Sequence, residues 1–339
     1  MDTNWDRREF IVSASAAALT GCTSGRTVST GGGLRADRPA RAECPHAAAR
    51  FHVFSKMFQP PVTKSPEALC ELFAAAGYDG VQWTVRKGGH ATPENAATEL
   101  PRLVKVAESF GLKCESICTG ITSDGGQRAA RPTGDGRACR PATAADETIL
   151  KTAADCGIRQ FRTGYYFYDE KTETFAQSME RFKRSFAALA AIGERCGIKA
   201  AYQNHSTWGP AIFGAVVWDL YEVIRDLDPR WIGIEYDPMH AYFETYESWR
   251  HGFELVAPWV SAIDLKDFHY RPDPKNAKRT KKVMVAAGEG IVPWGEVVRR
   301  VAANGVDPLY ILHFEYDFDK TDLPKTVNAE LSAFKSALA

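Results

Sequence analysis

The side chains of this 339-residue chain that could do chemistry gather at the ends of short apolar runs. In "IGIEYDPMH" the run ends in Asp237, and His240 follows three positions later across a proline. A carboxylate and an imidazole so placed can hold a metal, hold a sugar, or cap the next helix. Asp237 ahead of Pro238 also fits a plain N-cap with proline at the first helical position. The same signature recurs along the chain. Gln203 and His205 end one run, Asp264, Lys266 and Asp267 another, and His313 and Glu315 the last. Gln82, Trp83, Arg86 and His90 cluster around "GVQWTV", and Arg162 lies in "RQFRTG".

Some element must bring these distant residues together. From residue 50 onward, eight runs at 51–55, 80–85, 113–119, 159–164, 199–204, 232–237, 261–267 and 309–315 read as strands. Amphipathic segments such as "MERFKRSFAALAAIGERCG" lie between them, and several end in glycine just before the next run. Eight strand–helix units over this length predict a (β/α)8 TIM barrel, whose chemistry sits at the C-terminal strand ends. An open doubly wound sheet would want a Gly-rich phosphate turn after an early strand, and the sequence has none. Alternation along a strand puts residues of one parity on one face. Ile263 and Leu265 would then face the helices and Asp264 and Lys266 the barrel. Ile311, His313 and Glu315 share an inward face, as do Gln203 with His205 and Gly233 with Glu235 and Asp237. Inward carboxylates need a cation, a hydrogen-bond network or a metal, since burying one alone costs several kcal/mol, roughly.

The stretches "YDGVQWTVRKGGH", "YQNH", "YDPMH", "IDLKDF", "GEGIVPW" and "HFEYD" resemble the xylose isomerase-like superfamily of sugar isomerases and epimerases. The resemblance covers residues 50 to about 335. It implies one divalent cation, Mn²⁺ or Mg²⁺ and also Co²⁺, held by Glu, Asp, His and Glu from strands five to eight, with the two Glu acting as acid and base. Carried over by position, those places hold Gln203, Asp237, Asp264 and Glu315. Two depart from the pattern, Gln203 for Glu and Asp264 for His, and the departures cancel in charge. A Gln carbonyl can ligate a hard cation, so an all-oxygen site is one reading. A site that has lost its metal, with Lys266 neutralising Asp264 or Glu315, is the other. Gln203 cannot be a base, which leaves Glu315, with His205, His240 or Lys266 as its partner in proton transfer. That leans from two-base epimerisation towards elimination, hydration or same-face isomerisation through an enediolate.

The flanks of the barrel region read differently. Arg7-Arg8, a mildly apolar run from Phe10 to Leu19 and "LTGC" follow the order of a twin-arginine signal with a lipobox, predicting lipidation at Cys22. An amphipathic start to a helix is the alternative. The domains are then a signal at 1–22, a Ser/Gly/Pro-rich tether at 23–47 and the barrel at 48–339. Export predicts a periplasmic or cell-envelope protein that meets membrane only through its lipid. Of the remaining cysteines, Cys44 and Cys139 lie in loops and could pair if the compartment is oxidising, which leaves any disulfide unassigned. Forty-two basic and 42 acidic residues cancel, so no electrostatic footprint for nucleic acid exists.

Bland alternatives stand beside each residue. His205 could tie its loop to backbone, and aromatics such as Trp83, Trp208 and "YYFYD" (165–169) pack on helices more often than on sugars. The loop at 271–282 reads as solvated and basic or as a lid, and 121–143 as a long loop on the active face. Together the residues predict a metal-dependent isomerase, epimerase or lyase acting beside a carbonyl of a non-phosphorylated sugar or 3-keto-glycoside. Glu315, Lys266 and His205 would do the chemistry. Trp83, Arg86, His90, Arg162, His240, Asp267 and His313 would contact the substrate. A lipid-anchored sugar-binding protein and an abasic-site nuclease are the alternatives, and homo-oligomerisation stays open.

Overall fold

A computed structural model describes residues 49–123, 140–206 and 212–338. The expectations for the signal and tether, the lipid at Cys22, the Cys44–Cys139 pairing and a stacking role for Trp208 lie outside the described residues.

Eight parallel strands close into a barrel: β1 (Arg50–Phe54), β2 (Gly80–Thr84), β3 (Ser116–Cys118), β4 (Gln160–Arg162), β5 (Lys199–Gln203), β6 (Ile232–Tyr236), β7 (Val260–Leu265) and β8 (Leu309–Leu312). Closure is made by β1 against β8, with Phe51 opposite Tyr310 and Val53 opposite Leu312. That pairing excludes the open sheet. Helices run between the strands for the reasons their ends show. The helix Phe175–Cys196 opens on a capping box between Thr174 and Gln177 and stops at Gly197, whose φ of 70° suits glycine. Its buried residues Phe182, Phe186 and Leu189 recur at helical spacing and cover the barrel. Each such side chain contributes about 1.5–3 kcal/mol by leaving water.

Alternation sorts the strand side chains. Val53, Val81, Trp83, Ile117, Phe161, Tyr202, Ile234, Tyr236, Ile263, Leu265 and Leu312 join the core shared with the helices. Phe54, Cys118, Ala262, Leu309 and Ile311 form a separate apolar cluster. Along β7 and β8 these apolar residues come first, and Asp264, Lys266, His313 and Glu315 follow towards the C-terminal end.

The segment read as a basic loop at 271–282 is instead part of an antiparallel hairpin, Asp267–Asp273 with Asn276–Val285. The turn sequence Asp273-Pro274-Lys275-Asn276 reverses the chain, and Phe268 is buried at the hairpin's base. Its charge had hidden the pattern.

Candidate active site

Two layers of polar side chains fill the C-terminal half of the barrel. In the inner layer, Gln82 Nε2 donates to Glu235 Oε2 at 2.9 Å and Arg162 Nη1 to Glu235 Oε1 at 3.2 Å. Strands β2 and β4 do not neighbour β6, so these contacts cross the barrel interior. Glu235, Asp264 and His313 offer ligand atoms that lie within 4.8 Å of one another, all buried. His313 Nε2 stands 3.1 Å from Asp264 Oδ1, yet neither atom has an aligned hydrogen-bond partner. Burial raises the Glu235 carboxyl, and the Arg162 charge offsets part of that. Burial and then the charges of Glu235 and Asp237 push Asp264 well above the usual carboxylate range. Burial, with Lys266 nearby, holds His313 well below the usual imidazole range, so it is neutral near pH 7.

The outer layer forms the rim. Asp237 caps the helix Pro238–Thr245 through Oδ1, which accepts from the His240 backbone N–H at 3.1 Å. Its Oδ2 accepts from Lys266 Nζ at 2.9 Å and Gln203 Nε2 at 3.2 Å. Lys266 also reaches Glu315 Oε2 at 3.2 Å, while Lys56 Nζ donates to Glu315 Oε1 at 2.7 Å. Burial would raise Glu315, but Lys266, the His313 hydrogen bond and Lys56 hold it well below the usual range. Burial would lower Lys266, but Asp237, Glu315 and Asp264 raise it, so it stays an ammonium. His240 Nδ1 meets Ser206 Oγ at 2.6 Å, and its Nε2 lies 3.5 Å from Lys266 Nζ. The His205 ring stacks 3.7 Å from His240 between centroids. Burial, then His205 and Lys266, lower His240 well below the usual range. The Glu315 side chain is 18% exposed and Lys56 22%, so the rim opens to solvent on that side.

Gln203, His205, Asp237, His240, Asp264, Lys266, His313 and Glu315 thus meet in one place. Others do not act as expected. Trp83 is fully buried among the helices, on the opposite face of β2 from Gln82, so it cannot stack on a substrate. Arg162 is buried below the rim, its guanidinium 4.5 Å over the Phe54 ring, and serves Glu235. Asp267 is buried and accepts from the backbone N–H groups of Phe268, Gly288 and Val292 and from Trp294 Nε1. A Cβ on Gly290 would collide with Asp267 Oδ1, so that loop is glycine because it wraps the carboxylate. Asp267 is an anchor rather than a substrate contact. His90 stacks edge-on to Trp83, its Nδ1 meets Thr84 Oγ1 at 3.1 Å, and burial pushes it down to about 4. Arg86 stays partly exposed beside Cys118. Lys56, Glu235 and Ser206 were missed as site residues, and Tyr165, weighed in the sequence only for stacking on a sugar, donates to the Gln203 carbonyl. Inward parity pointed to Glu235, whereas nothing about Lys56, in a turn after β1, marks it in the sequence.

The resemblance places a divalent cation among Gln203, Asp237, Asp264 and Glu315, and the rim does not fit one. Both neighbours of the Gln203 amide nitrogen are carboxylates, so its NH₂ faces Asp237 and Asp264 and its carbonyl accepts from Tyr165. The carbonyl is therefore turned away from the place a cation would need it. Between Asp237 and Glu315 lies the Lys266 ammonium. Among the described residues, the group with metal-like spacing is the inner Glu235, Asp264 and His313.

No curated protein matches the chain. Solved structures do match its fold. A 3-keto-D-glucoside 4-epimerase from E. coli aligns at a TM-score of 0.58 and 11% identity, over 86% of this chain and 97% of its own. A probable 3-DHS dehydratase from Bacillus anthracis aligns at 0.58 and 15%, over 84% and 97%. A barrel protein from Mycobacterium smegmatis in complex with magnesium aligns at 0.60 and 13%, over 86% and 99%. The family profile described as xylose isomerase-like TIM barrel matches residues 70–337, so the chain belongs to that family.

Proposed function

We propose that the protein is a sugar isomerase, epimerase or lyase that removes a proton beside the carbonyl of a non-phosphorylated sugar or 3-keto-glycoside. The observation that carries this is the rim cation with a base on each side. Lys266 Nζ touches Glu315 at 3.2 Å and lies 3.5 Å from neutral His240, which stacks on His205. With a carbonyl oxygen at Lys266, Glu315 takes the adjacent C–H proton and the electron pair moves onto that oxygen. The resulting enediolate is stabilised by the ammonium. Return of that proton from Glu315 to the neighbouring carbon gives an isomer, and its delivery to a β-hydroxyl that leaves as water gives a lyase product. A proton passed instead from the Lys266 ammonium through His240 to the other face gives an epimer. The ionic grip of Lys56 and Lys266 keeps Glu315 a weak base until the substrate oxygen takes up a lysine N–H. Lys56 and Lys266 are both committed to carboxylates, which leaves neither of them to bind a phosphate. The E. coli neighbour is named a keto-glucoside epimerase and the Bacillus anthracis neighbour a probable 3-DHS dehydratase, reaction types in keeping with this class. From the sequence of its first 22 residues, the protein is exported and held by a lipid on Cys22.

A second reading keeps a cation, Mn²⁺ or Mg²⁺, on Glu235, Asp264 and His313, favoured by their spacing and by Asp264 Oδ1 and His313 Nε2, which face each other at 3.1 Å without an aligned hydrogen bond. When bound, it would supply Lewis-acid polarisation of a substrate oxygen.

The test is deuterium uptake at carbon from D₂O, followed by NMR across a panel of keto-sugars and 3-keto-glycosides. At least one should exchange, and Glu315→Gln should slow that exchange about 10²–10⁴-fold. No exchange with saturable sugar binding would leave a binding protein instead.

A further inference from the structure

We infer that the Lys266 ammonium stands in the rim site in place of a divalent cation, and that proton abstraction there needs no metal. This deepens the proposed function and rests on it for the chemistry, though not for the binding it predicts.

Every rim and inner carboxylate already faces a positive or N–H partner. Lys266 lies at 2.9 Å from Asp237 and 3.2 Å from Glu315, and Lys56 at 2.7 Å from Glu315. Arg162 lies at 3.2 Å from Glu235, and Gln203 donates to Asp237 and Asp264. The formal count is four carboxylates (Glu235, Asp237, Asp264 and Glu315) against four cations (Lys56, Arg162, Lys266 and the hairpin's Lys282), a balance without any added ion. A divalent ion would add two charges to that balance in a place where uncompensated charge of either sign is costly.

Ligand geometry agrees with charge. A cation on Asp237 and Glu315 must displace Lys266, whose buried ammonium holds both carboxylates. It must also flip the Gln203 amide, breaking the Tyr165 hydrogen bond and both carboxylate bonds. The side chain at the carbonyl-polarising position is therefore fixed by two carboxylates, Asp237 and Glu315. In the reaction the C–H bond breaks towards Glu315 and a C=C bond forms. The carbonyl oxygen gains the electron pair beside the ammonium, which is restored when the proton returns, so no redox partner enters.

The experiment is metal binding by the full chain, independent of any substrate. Protein stripped with chelator is titrated with MnCl₂, reading free Mn²⁺ by electron paramagnetic resonance and Tm by calorimetry, and MgCl₂ is run in parallel. The expected result is no depletion of the free signal and no rise in Tm. A true site filled a hundredfold above its Kd would raise Tm by roughly 5 °C. The double variant Lys266→Ala, Gln203→Glu removes the ammonium and adds a carboxylate, and it should gain saturable Mn²⁺ binding. Stoichiometric Mn²⁺ or Mg²⁺ on the wild-type chain overturns the inference, whether it sits on the rim or on Glu235, Asp264 and His313. Exchange that occurs in chelator supports it, and exchange that requires added metal overturns it. Failure of the sugar panel alone strikes the proposed function and leaves the binding result standing.

Discussion

Asp267 shows how a residue in a site motif can serve structure. Its two oxygens gather three backbone N–H groups and the Trp294 indole, which fixes the chain from Phe268 to Trp294 beneath the hairpin. Asp267→Ala should leave four donors unsatisfied, at about 1–3 kcal/mol for each buried one that finds no water. Calorimetry should show a Tm loss of several degrees, with KM unchanged in whatever protein remains folded. An unchanged Tm with a raised KM would return Asp267 to the substrate. At this scale the sequence was legible wherever strand parity applied. Parity brought Gln203, Asp264, His313 and Glu315 inward, and it also separates Gln82 from Trp83, a contrast that an eye for aromatic stacking passes over. The Gln203 amide was not legible, because which end faces the carboxylates depends on Tyr165, 38 residues away in sequence. Lys56 was hidden for a similar reason, since its partner Glu315 is 259 positions distant.

The hairpin Asp267–Asp273 and Asn276–Val285 is the element the sequence concealed. Lysines and arginines dominate its outer strand, so composition read as a solvated loop, while the pairing that orders it is made by backbone. It brings one lysine back to the rim. Lys282 Nζ lies 3.2 Å from Ser206 Oγ and 4.1 Å from the Phe243 ring centroid, and burial lowers its pKa. Ser206 in turn holds His240 Nδ1 at 2.6 Å. Lys282 is therefore a positioning residue acting on His240 through Ser206. Lys282→Ala should lower kcat for the exchanging sugar about fivefold, the loss of roughly 1 kcal/mol of contact. KM should hold, and Lys282→Arg should recover most of the rate. Equal rates for wild type and Lys282→Ala would remove the hairpin from the site's mechanics.

For the molecule as a whole, barrel closure was legible because eight apolar runs alternate with amphipathic segments and little else fits that rhythm. The fastening of the last helix was not legible. Glu330, on the helix Leu323–Leu338, is buried at 3% exposure, accepts from Tyr316 Oη at 2.9 Å and from the Ala287 backbone N–H at 3.2 Å, and is pushed up to about 8, chiefly by burial. It ties that helix both to the segment after β8 and to the segment after the hairpin. Below pH ~4.5 the carboxyl is protonated in folded and unfolded chains alike and contributes no pH dependence. Between ~4.5 and about 8 the unfolded chain releases the proton while the folded chain keeps it, so stability falls as pH rises. Above about 8 both are ionised and the loss is complete. Other groups titrate in the same window, among them His240 and His313, so the wild-type curve alone mixes several slopes. The difference between wild type and Glu330→Gln cancels the shared ones. The variant keeps a neutral acceptor for Tyr316 and Ala287, so its Tm relative to wild type should climb steadily from pH 5 to pH 8. The gain at pH 8 is on the order of 4 kcal/mol, because each tenfold difference in proton affinity between folded and unfolded chains is worth about 1.4 kcal/mol. A Tm difference that stays flat across that range would mean Glu330 ionises in the folded protein at its ordinary pKa, with water reaching it under the last helix.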